Sequence, residues 1–166
     1  GHLPLMDIRN VLTIGKVCDA IDLAALGCQQ LGIRNPRIGV AGLNPHAGEG
    51  GMFGDEESRL IKPAIKVARN NGLDVEGPFA ADTLFCAIDS YDVIVAMYHD
   101  QGLIPMKLLY PHASVNYTLG VPIIRTSPDH GTAFDIAHTT SANPNSMMHA
   151  IELACQLTST AVGHPC

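Results

Sequence analysis

A short apolar strand that runs into a glycine-dense turn constrains the fold of this chain more than any other segment. Residues 37–43 predict the strand, and the turn that follows has four glycines within seven residues, at positions 48, 50, 51 and 54. Glycine lets the backbone adopt positive φ or approach a ligand closely. The turn also carries His46, at the carboxyl end of the predicted strand. Because α/β proteins place metal and substrate chemistry at such strand ends, we expect an α/β fold with a functional site here.

Helical and extended patterns alternate along the rest of the chain. A near-continuous apolar run over 92–98 is typical of a strand buried on both faces. Apolar spacing predicts helices over 7–31, 55–70, 100–109 and 146–161, short strands over 114–118 and 122–125, and a helical turn over 131–137. This alternation predicts an α/β fold with a mostly parallel sheet and flanking helices.

The helix over 55–70 has two features of its own. It begins with Asp55, Glu56 and Glu57, whose charges are favourable beside the positive end of the helix dipole. Pro63 lies inside it and is expected to kink it or to move its start further along the chain.

Composition narrows the class of protein. A chain of 166 residues suits one domain of about 100–200 residues, and 46% hydrophobic residues can bury a substantial core. The net charge of −6, without a cluster of basic residues, argues against nucleic acid and anionic membranes as partners. No apolar run is long enough to cross a bilayer. Five cysteines, Cys166 among them, lack C-x-x-C spacing, which favours reduced thiols and a cytoplasmic protein.

Three histidines stand at the edges of apolar elements. His2, His46 and His99 each lie beside a Pro, Gly or Asp. Three neutral imidazoles with a water molecule form a common catalytic site for Zn²⁺ or a similar divalent ion. Each histidine taken alone also suits a capping or core role. Asp82 and Asp100 are candidates for orienting or catalytic carboxylates, or for helix N-caps.

Two further groups of residues indicate anion binding. Lys107, Asn116 and Arg125 combine a point charge, an amide and a guanidinium fork, which suits a phosphate monoester or a carboxylate, although each also suits an exposed surface. The segment 129–137 has a His-Gly turn that opens a predicted helix, where free N–H groups favour a nucleotide phosphate or an adenine-ribose contact. No G-x-G-x-x-G occurs, so a Rossmann dinucleotide site is not supported.

These motifs together resemble one family. The resemblance rests on HLPL at 2–5, GLNPHAGEGG at 42–51, GPFAADTLF at 77–85, MYHDQGL at 97–103 and VNYTLGVPIIRTSPDHGTAFDIA at 115–137. They are similar to the 4-hydroxythreonine-4-phosphate dehydrogenases of pyridoxal phosphate biosynthesis and to their phosphothreonate-type relatives. The resemblance covers nearly the whole chain but only the C-terminal half of the family's usual length.

The resemblance implies a role for each candidate residue. It implies a divalent ion, Zn²⁺ first with Mg²⁺ and Co²⁺ as alternatives, bound by three histidines that match His2, His46 and His99. It implies that the substrate phosphate contacts Lys107, Asn116 and Arg125, and that Asp82 and Asp100 are the carboxylates near the metal. The DHGTAFDIA segment is similar to a loop of isocitrate and isopropylmalate dehydrogenases that lies against the adenine end of NAD or NADP, which implicates His130, Gly131, Thr132 and Asp135 in cofactor binding.

The resemblance also implies an isocitrate/isopropylmalate-dehydrogenase-like fold, of which residues 1–166 are the C-terminal portion. The expected function is metal-dependent, NAD(P)-dependent oxidation of 4-phosphohydroxy-L-threonine, followed by decarboxylation, in a homodimer whose metal ligands come from both subunits. Two alternatives remain. One is a paralogue that acts on 4-phosphothreonate or 4-phosphoerythronate, and the other is a fragment that binds metal or phosphate without turnover. A dehydrogenase that decarboxylates a dicarboxylate is less favoured, because those enzymes bind their ion through aspartates.

Overall fold

The structure, a computed structural model, describes residues 2–162 and has two compact units. The first extends to Pro105 and the second begins at Met106. The helices of the chain are α1 (Ile8–Val11), α2 (Ile14–Gln30), α3 (Lys62–Asn70), α4 (Ala81–Leu84), α5 (His99–Leu109) and α6 (Asn145–Val162). Because α5 runs through Pro105, it belongs in part to each unit.

A parallel sheet of three strands forms the centre of the first unit. The strands are β1 (Arg37–Ala41), β2 (Asp74–Phe79) and β3 (Val93–Val95), in the order β2-β1-β3. Ile38 of the central strand lies beside Val75 on one side and Val93 on the other. The predicted strand over 92–98 is therefore shorter than expected, and the chain has left the sheet at Ala96.

Helices α2 and α3 pack with the sheet to form the core of the first unit. Val17 and Ile21 of α2, Ile38 and Val40 of β1, and Ile65 of α3 are all at most 2% exposed. Ile38 and Val40 are two residues apart and so lie on one face of the strand. On the other face, the ring of Tyr91 lies so close to Gly39 that an added Cβ would be 3.0 Å from it.

The predicted single helix over 7–31 is divided in two. Leu12 and Thr13 are extended, and the Thr13 hydroxyl accepts a hydrogen bond from the backbone N–H of Lys16 at 3.2 Å. A threonine that caps a free N–H in this way starts a new helix, because its own backbone cannot continue the preceding one. The hydrophobic period continued through the break, so it did not reveal this boundary.

The predicted helix over 55–70 also has two parts. A π-helical turn spans Glu57–Ile61, and α3 begins at Lys62 with Pro63 in its first turn. Proline has no N–H to donate, so it fits where the regular bonding of a helix begins. Residue 56 is also helical, and Glu56 and Ile61 both have right-handed helical φ/ψ, so the helical backbone runs from 56 to 70 and Pro63 does not move its start.

The second unit has an antiparallel hairpin of β4 (Val115–Thr118) and β5 (Arg125–Pro128). The hydroxyl of Thr126 donates a hydrogen bond to the carbonyl of Ala150 at 2.8 Å, so α6 lies against the face of the hairpin that carries Thr126. The strand expected over 122–125 lies three residues further along the chain. The helical turn expected over 131–137 is only the short 3-10 segment Phe134–Ile136.

The fold confirms a mixed α/β structure with a parallel sheet and flanking helices. Within residues 2–162, no helix combines the length and the apolar character needed to cross a membrane. Cys18, Cys28, Cys86 and Cys155 are free thiols, and Cys166 lies outside the described residues.

Candidate functional site

Three predicted site residues of the first unit follow the carboxyl ends of the three parallel strands. His46 follows β1, Asp82 follows β2 and His99 follows β3. The side chain of Gln101 links two of these strand ends, because its Nε2 donates to the carbonyl of Gly42 at 2.8 Å while its Oε1 accepts from the N–H of Met97 at 2.7 Å. The edge of the sheet predicted from the sequence is therefore formed as expected.

His46 lies in a left-handed turn. Five consecutive residues, from His46 to Gly50, have φ between 39° and 79°. A residue with a Cβ loses roughly 1–2 kcal/mol in this conformation, and three of the five have one: His46, Ala47 and Glu49. The sequence predicted positive φ at the glycines but not at these three residues. A turn with this much strain requires contacts that hold it.

Two buried glutamates supply those contacts. The Oε1 atom of Glu57 accepts the backbone N–H groups of Leu43 and Asn44 at 2.8 and 2.7 Å, and its Oε2 accepts the Asn44 side-chain amide at 3.1 Å. Glu56 Oε2 accepts the same amide at 2.7 Å, and its Oε1 pairs with Arg9 Nε at 2.7 Å. Both glutamates are 3% exposed.

This network corrects the interpretation of the acidic start of the helix. Only Asp55 is exposed there, beside Arg59 at 3.5 Å. Glu56 and Glu57 are buried because they satisfy donors of the turn that carries His46. The sequence offered a weak signal for this role, in that Asn44 and two adjacent glutamates flank the glycines, but spacing alone could not show that they meet.

Glu56 should make folding stability depend on pH. Burial works to raise the pKa of Glu56, but hydrogen bonds from Asn44 and from its own backbone N–H, together with the charges of Arg9 and Arg59, outweigh it and lower the pKa below the ordinary value. A carboxyl group with a depressed native pKa stabilises the fold above the unfolded pKa of about 4.3 and loses this contribution as the pH falls through the native value. We expect Glu56→Gln to reduce the acid-side fall in the free energy of unfolding, measured by urea denaturation across a pH series. Asp55→Asn, at the exposed neighbour, is the matched control, and identical pH profiles for Glu56→Gln and the parent would contradict the assignment.

His2 and His99 lie together. Their ring centroids are 5.1 Å apart and the rings are tilted by 42°. Two imidazoles that share one tetrahedral Zn²⁺ have centroids about 5 Å apart, because each nitrogen lies about 2 Å from the ion. The Nδ1 atom of His99 is 2.8 Å from Asp100 Oδ1. A carboxylate that accepts this N–H leaves Nε2 as the metal-binding atom.

One chain does not complete the predicted metal site. Within residues 2–162, no group of three or more His, Cys, Asp or Glu side chains is placed to hold an ion. The ring of His46 lies instead 6.1 Å from the ring of Phe53. The chemistry of the donors fits a divalent ion, and the structure brings two of the three predicted ligands together.

The two aspartates have different surroundings. Asp82 lies inside α4, whose N-cap is Ala80, without a side-chain cap, so the N-cap alternative is wrong for Asp82. Asp100 lies in the first turn of α5, beside His99. A cavity of about 420 Å³ opens next to this pair, and Leu3, Val17, Met97 and Lys16 are among its lining residues. This volume is in the range of small-molecule sites.

The second unit contains the three residues predicted to bind phosphate. Asn116 and Thr118 are two apart on β4, and Arg125 pairs with Thr118 across the hairpin. The side chains of Asn116, Thr118 and Arg125 therefore project from the same face of the hairpin. Thr126, next to Arg125, projects from the other face and binds α6. Asn116 and Arg125 are both exposed, and Arg125 Nη1 donates to Thr118 Oγ1 at 2.8 Å.

Lys107 is held by the segment that follows β5. Its Nζ donates to the carbonyl of Asp129 and pairs with the Asp129 carboxylate, both at 2.9 Å. The Lys107 side chain remains 51% exposed. Lys107 is therefore exposed, as the alternative of a surface role expected, but its ammonium group is also bound to Asp129.

The predicted nucleotide segment is not a helix start. His130 and Gly131 are non-helical, and His130 Nδ1 lies 2.9 Å from the carbonyl of Gly131. The only helical residues nearby are Phe134–Ile136, too few for the alignment of peptide dipoles that the expectation required. His130 lines a cavity of about 200 Å³ with Asp129, Ser146 and Asn143, which is smaller than a typical ligand site. Roles for all four residues, His130, Gly131, Thr132 and Asp135, in cofactor binding stay a prediction.

Comparison with known proteins identifies similar chains. Residues 1–154 match the family model described as pyridoxal phosphate biosynthetic protein PdxA. The chain is 51% identical over 158 residues to a 4-hydroxythreonine-4-phosphate dehydrogenase of Geobacter metallireducens, covering 94% of this chain and 47% of the relative. It is also 51% identical over 158 residues to a D-threonate 4-phosphate dehydrogenase of Salmonella typhimurium, with 94% and 48% covered.

Solved structures of dehydrogenases are also similar to this chain. A crystal structure of 4-hydroxythreonine-4-phosphate dehydrogenase from Klebsiella pneumoniae matches with a TM-score of 0.82 and 48% identity, over 94% of this chain and 48% of that chain. A terephthalate 1,2-cis-dihydrodiol dehydrogenase from Burkholderia xenovorans matches with a TM-score of 0.74 and 39% identity, over 93% and 50%. The chain spans about half the length of the curated relatives it matches.

Proposed function

Because the chain belongs to the pyridoxal phosphate biosynthetic protein PdxA family, we propose that it carries the metal- and phosphate-binding part of an NAD(P)-dependent dehydrogenase. The proposed reaction oxidises 4-phosphohydroxy-L-threonine and leads to its decarboxylation, in the cytoplasm. The observation that carries the metal-dependent part is the His2–His99 pair, with Asp100 bound to His99, at the carboxyl edge of a parallel sheet. The isocitrate/isopropylmalate-dehydrogenase-like fold is part of this proposal.

A second copy of the chain completes the metal site in this proposal. His46 of one copy would join His2 and His99 of the other, so that each ion has three imidazole ligands. Within one chain His2 and His99 lie together while His46 lies beside Phe53, and this separation of the ligands supports the arrangement. Large apolar side chains that are exposed in the second unit, such as Leu108 and Phe134, leave apolar surface for such a partner.

The residues of the chain bind and orient the substrate. Lys107, Asn116 and Arg125 would hold the phosphate through charge-assisted hydrogen bonds. Asp100 keeps the His99 ring in the tautomer that presents Nε2. A divalent ion, when bound, lowers the pKa of the substrate hydroxyl and stabilises negative charge during decarboxylation. The nicotinamide ring of NAD or NADP is the hydride acceptor.

A second substrate class has direct support. D-threonate 4-phosphate dehydrogenases match this chain as well as the 4-hydroxythreonine-4-phosphate enzymes do, at 51% identity. Both substrates carry a terminal phosphate and an oxidisable hydroxyl, so Lys107, Asn116 and Arg125 suit either. The third alternative is a domain that binds metal and phosphate without turnover.

Turnover assays separate these alternatives. The purified protein, loaded with Zn²⁺, is mixed with NAD⁺ or NADP⁺ and with each phosphorylated substrate, and the absorbance of the reduced nicotinamide is followed. We expect reduction with 4-phosphohydroxy-L-threonine that disappears when a chelator removes the metal. Faster reduction with D-threonate 4-phosphate would select the second substrate. Binding of substrate without any reduction would contradict dehydrogenase activity of this chain.

Arg125→Ala should weaken phosphate-bearing ligands much more than their dephosphorylated forms. A hydrogen bond to a charged group contributes about 1.5–3 kcal/mol, so we expect a loss of affinity of roughly 10- to 100-fold for the phosphorylated ligand alone. Isothermal titration with both forms measures the difference. Arg34→Ala, at an exposed arginine of the first unit, controls for the loss of one positive charge. An equal loss for both forms would remove Arg125 from the phosphate site.

A further inference from the structure

Glu57 occupies a place in the first unit that neither substrate binding nor metal binding explains. Its carboxylate is buried beneath the left-handed turn that carries His46. We propose that Glu57 is a positioning residue for His46, which acts by fixing the turn between β1 and the helix that follows. The proposal deepens the proposed function, because the role of His46 as a metal ligand rests on that function.

The hydrogen bonds of Glu57 fix the start of the turn. Its Oε1 atom accepts two consecutive backbone N–H groups, those of Leu43 and Asn44, at the point where the chain leaves the sheet. Its Oε2 accepts the Asn44 side-chain amide. One side chain thus satisfies three donors within three residues of His46.

The same carboxylate fills the space under the middle of the turn. A Cβ placed on Gly48 would lie 2.6 Å from Glu57 Oε2, and one placed on Gly42 would lie 3.2 Å from Glu57 Oε1. The turn therefore folds directly over Glu57. Since His46 is two residues from Gly48 and from Asn44, a change in the position of this carboxylate shifts the His46 ring.

Glu56 differs from its neighbour in a useful way. Glu56 forms an ion pair with Arg9, whereas Glu57 accepts hydrogen bonds from N–H groups of Leu43 and Asn44. Glu57 is therefore suited to set backbone conformation rather than to pair with a cation. Glutamine at this position keeps the shape, but it has only one oxygen and would present an NH₂ group towards one of these donors.

NMR spectroscopy of the histidine side chains tests the proposal directly. The imidazole nitrogen resonances of His46, assigned with His46→Ala, are compared in the parent, in Glu57→Gln and in Val75→Ala. Val75 is buried in the core and lies beside Ile38 near the start of β1, whereas the turn follows the end of β1, so Val75→Ala should lower stability without changing the turn. We expect Glu57→Gln to shift or broaden the His46 signals and the amide signals of residues 43–50, while Val75→Ala leaves them unchanged. Glu57→Asp, which keeps the charge and loses reach, should shift the same signals if Glu57→Gln does not fold.

Zn²⁺ affinity gives the functional readout. Loss of a hydrogen bond made directly to a metal ligand typically weakens binding by about 10- to 100-fold, and because Glu57 acts on His46 only through the turn, we expect the lower end, about tenfold, for Glu57→Gln in competition with a chelator. Parent-like His46 signals in the folded Glu57 variants would overturn the positioning role. Perturbed His46 signals together with unchanged Zn²⁺ binding in His46→Ala would instead retain the positioning role and overturn the metal role of His46.

Discussion

Alanine at His46, at His2 or at His99 is expected to remove the divalent ion that we propose for each chain. The rings of His2 and His99 already lie with their centroids 5.1 Å apart, and the Nδ1 atom of His99 is 2.8 Å from Asp100 Oδ1. Loss of one of three protein ligands should weaken binding by more than the roughly 10- to 100-fold that the loss of an outer hydrogen bond costs. Elemental analysis should therefore find about one ion per chain in the purified parent and almost none in each variant.

The control for this series is His149→Ala. His149 is exposed in the second unit and lies 3.3 Å from Glu152, so its removal should leave the metal content unchanged. Parent-like metal content in all three site variants would contradict a three-histidine site. The same series can show which chains contribute. If the ion lies between two copies, mixing His46→Ala with His99→Ala protein restores part of the bound metal, because one site of each mixed pair is intact.

Gly48→Ala should unfold or strongly destabilise the first unit. Gly48 is buried with φ +79°, and an added Cβ would lie 2.6 Å from Glu57 Oε2 and 3.0 Å from the carbonyl of Gly54. The variant combines the left-handed backbone cost of roughly 1–2 kcal/mol with overpacking of about 1–3 kcal/mol. The free energy of unfolding in urea, measured on the same day for parent and variant, gives the sum.

Gly50→Ala separates the two costs. Gly50 lies in the same turn with φ +67°, but an added Cβ meets no atom within 4 Å. We expect it to lose only the backbone part, so Gly48→Ala should be less stable than Gly50→Ala by about 1–3 kcal/mol. Equal stability of the two variants would mean that Glu57 can move away from the turn at little cost.

Elements whose sequence pattern lies within the element itself could be predicted from the sequence. The apolar strand β1, its glycine-rich exit and the closing helix α6 follow from hydrophobic period and from glycine spacing. The same argument placed His46 and His99 after neighbouring parallel strands. It failed at Thr13, because one capping hydroxyl divides a helix without interrupting its hydrophobic period.

The contacts that hold the site depend on pairs distant in sequence. Glu57 meets Asn44 across 13 positions, and Gln101 meets Gly42 across 59. A run of acidic residues after a turn is usually a solvated helix start, so its burial could not be predicted from the sequence. The helix expected to begin at His130 is absent from this segment for a related reason. A His-Gly pair can begin either a helix or an irregular loop, and tertiary packing decides between them.

Substrate binding with and without metal tests the central claim most directly. Isothermal titration measures the affinity of 4-phosphohydroxy-L-threonine for the Zn²⁺-loaded protein, for the metal-free protein, and for the loaded protein with the dephosphorylated compound. If this chain carries the metal and phosphate sites of a dehydrogenase, the phosphorylated compound binds the loaded protein, and affinity falls at least about tenfold, or 1.4 kcal/mol, in each of the other two experiments. Equal affinity in all three would contradict the account.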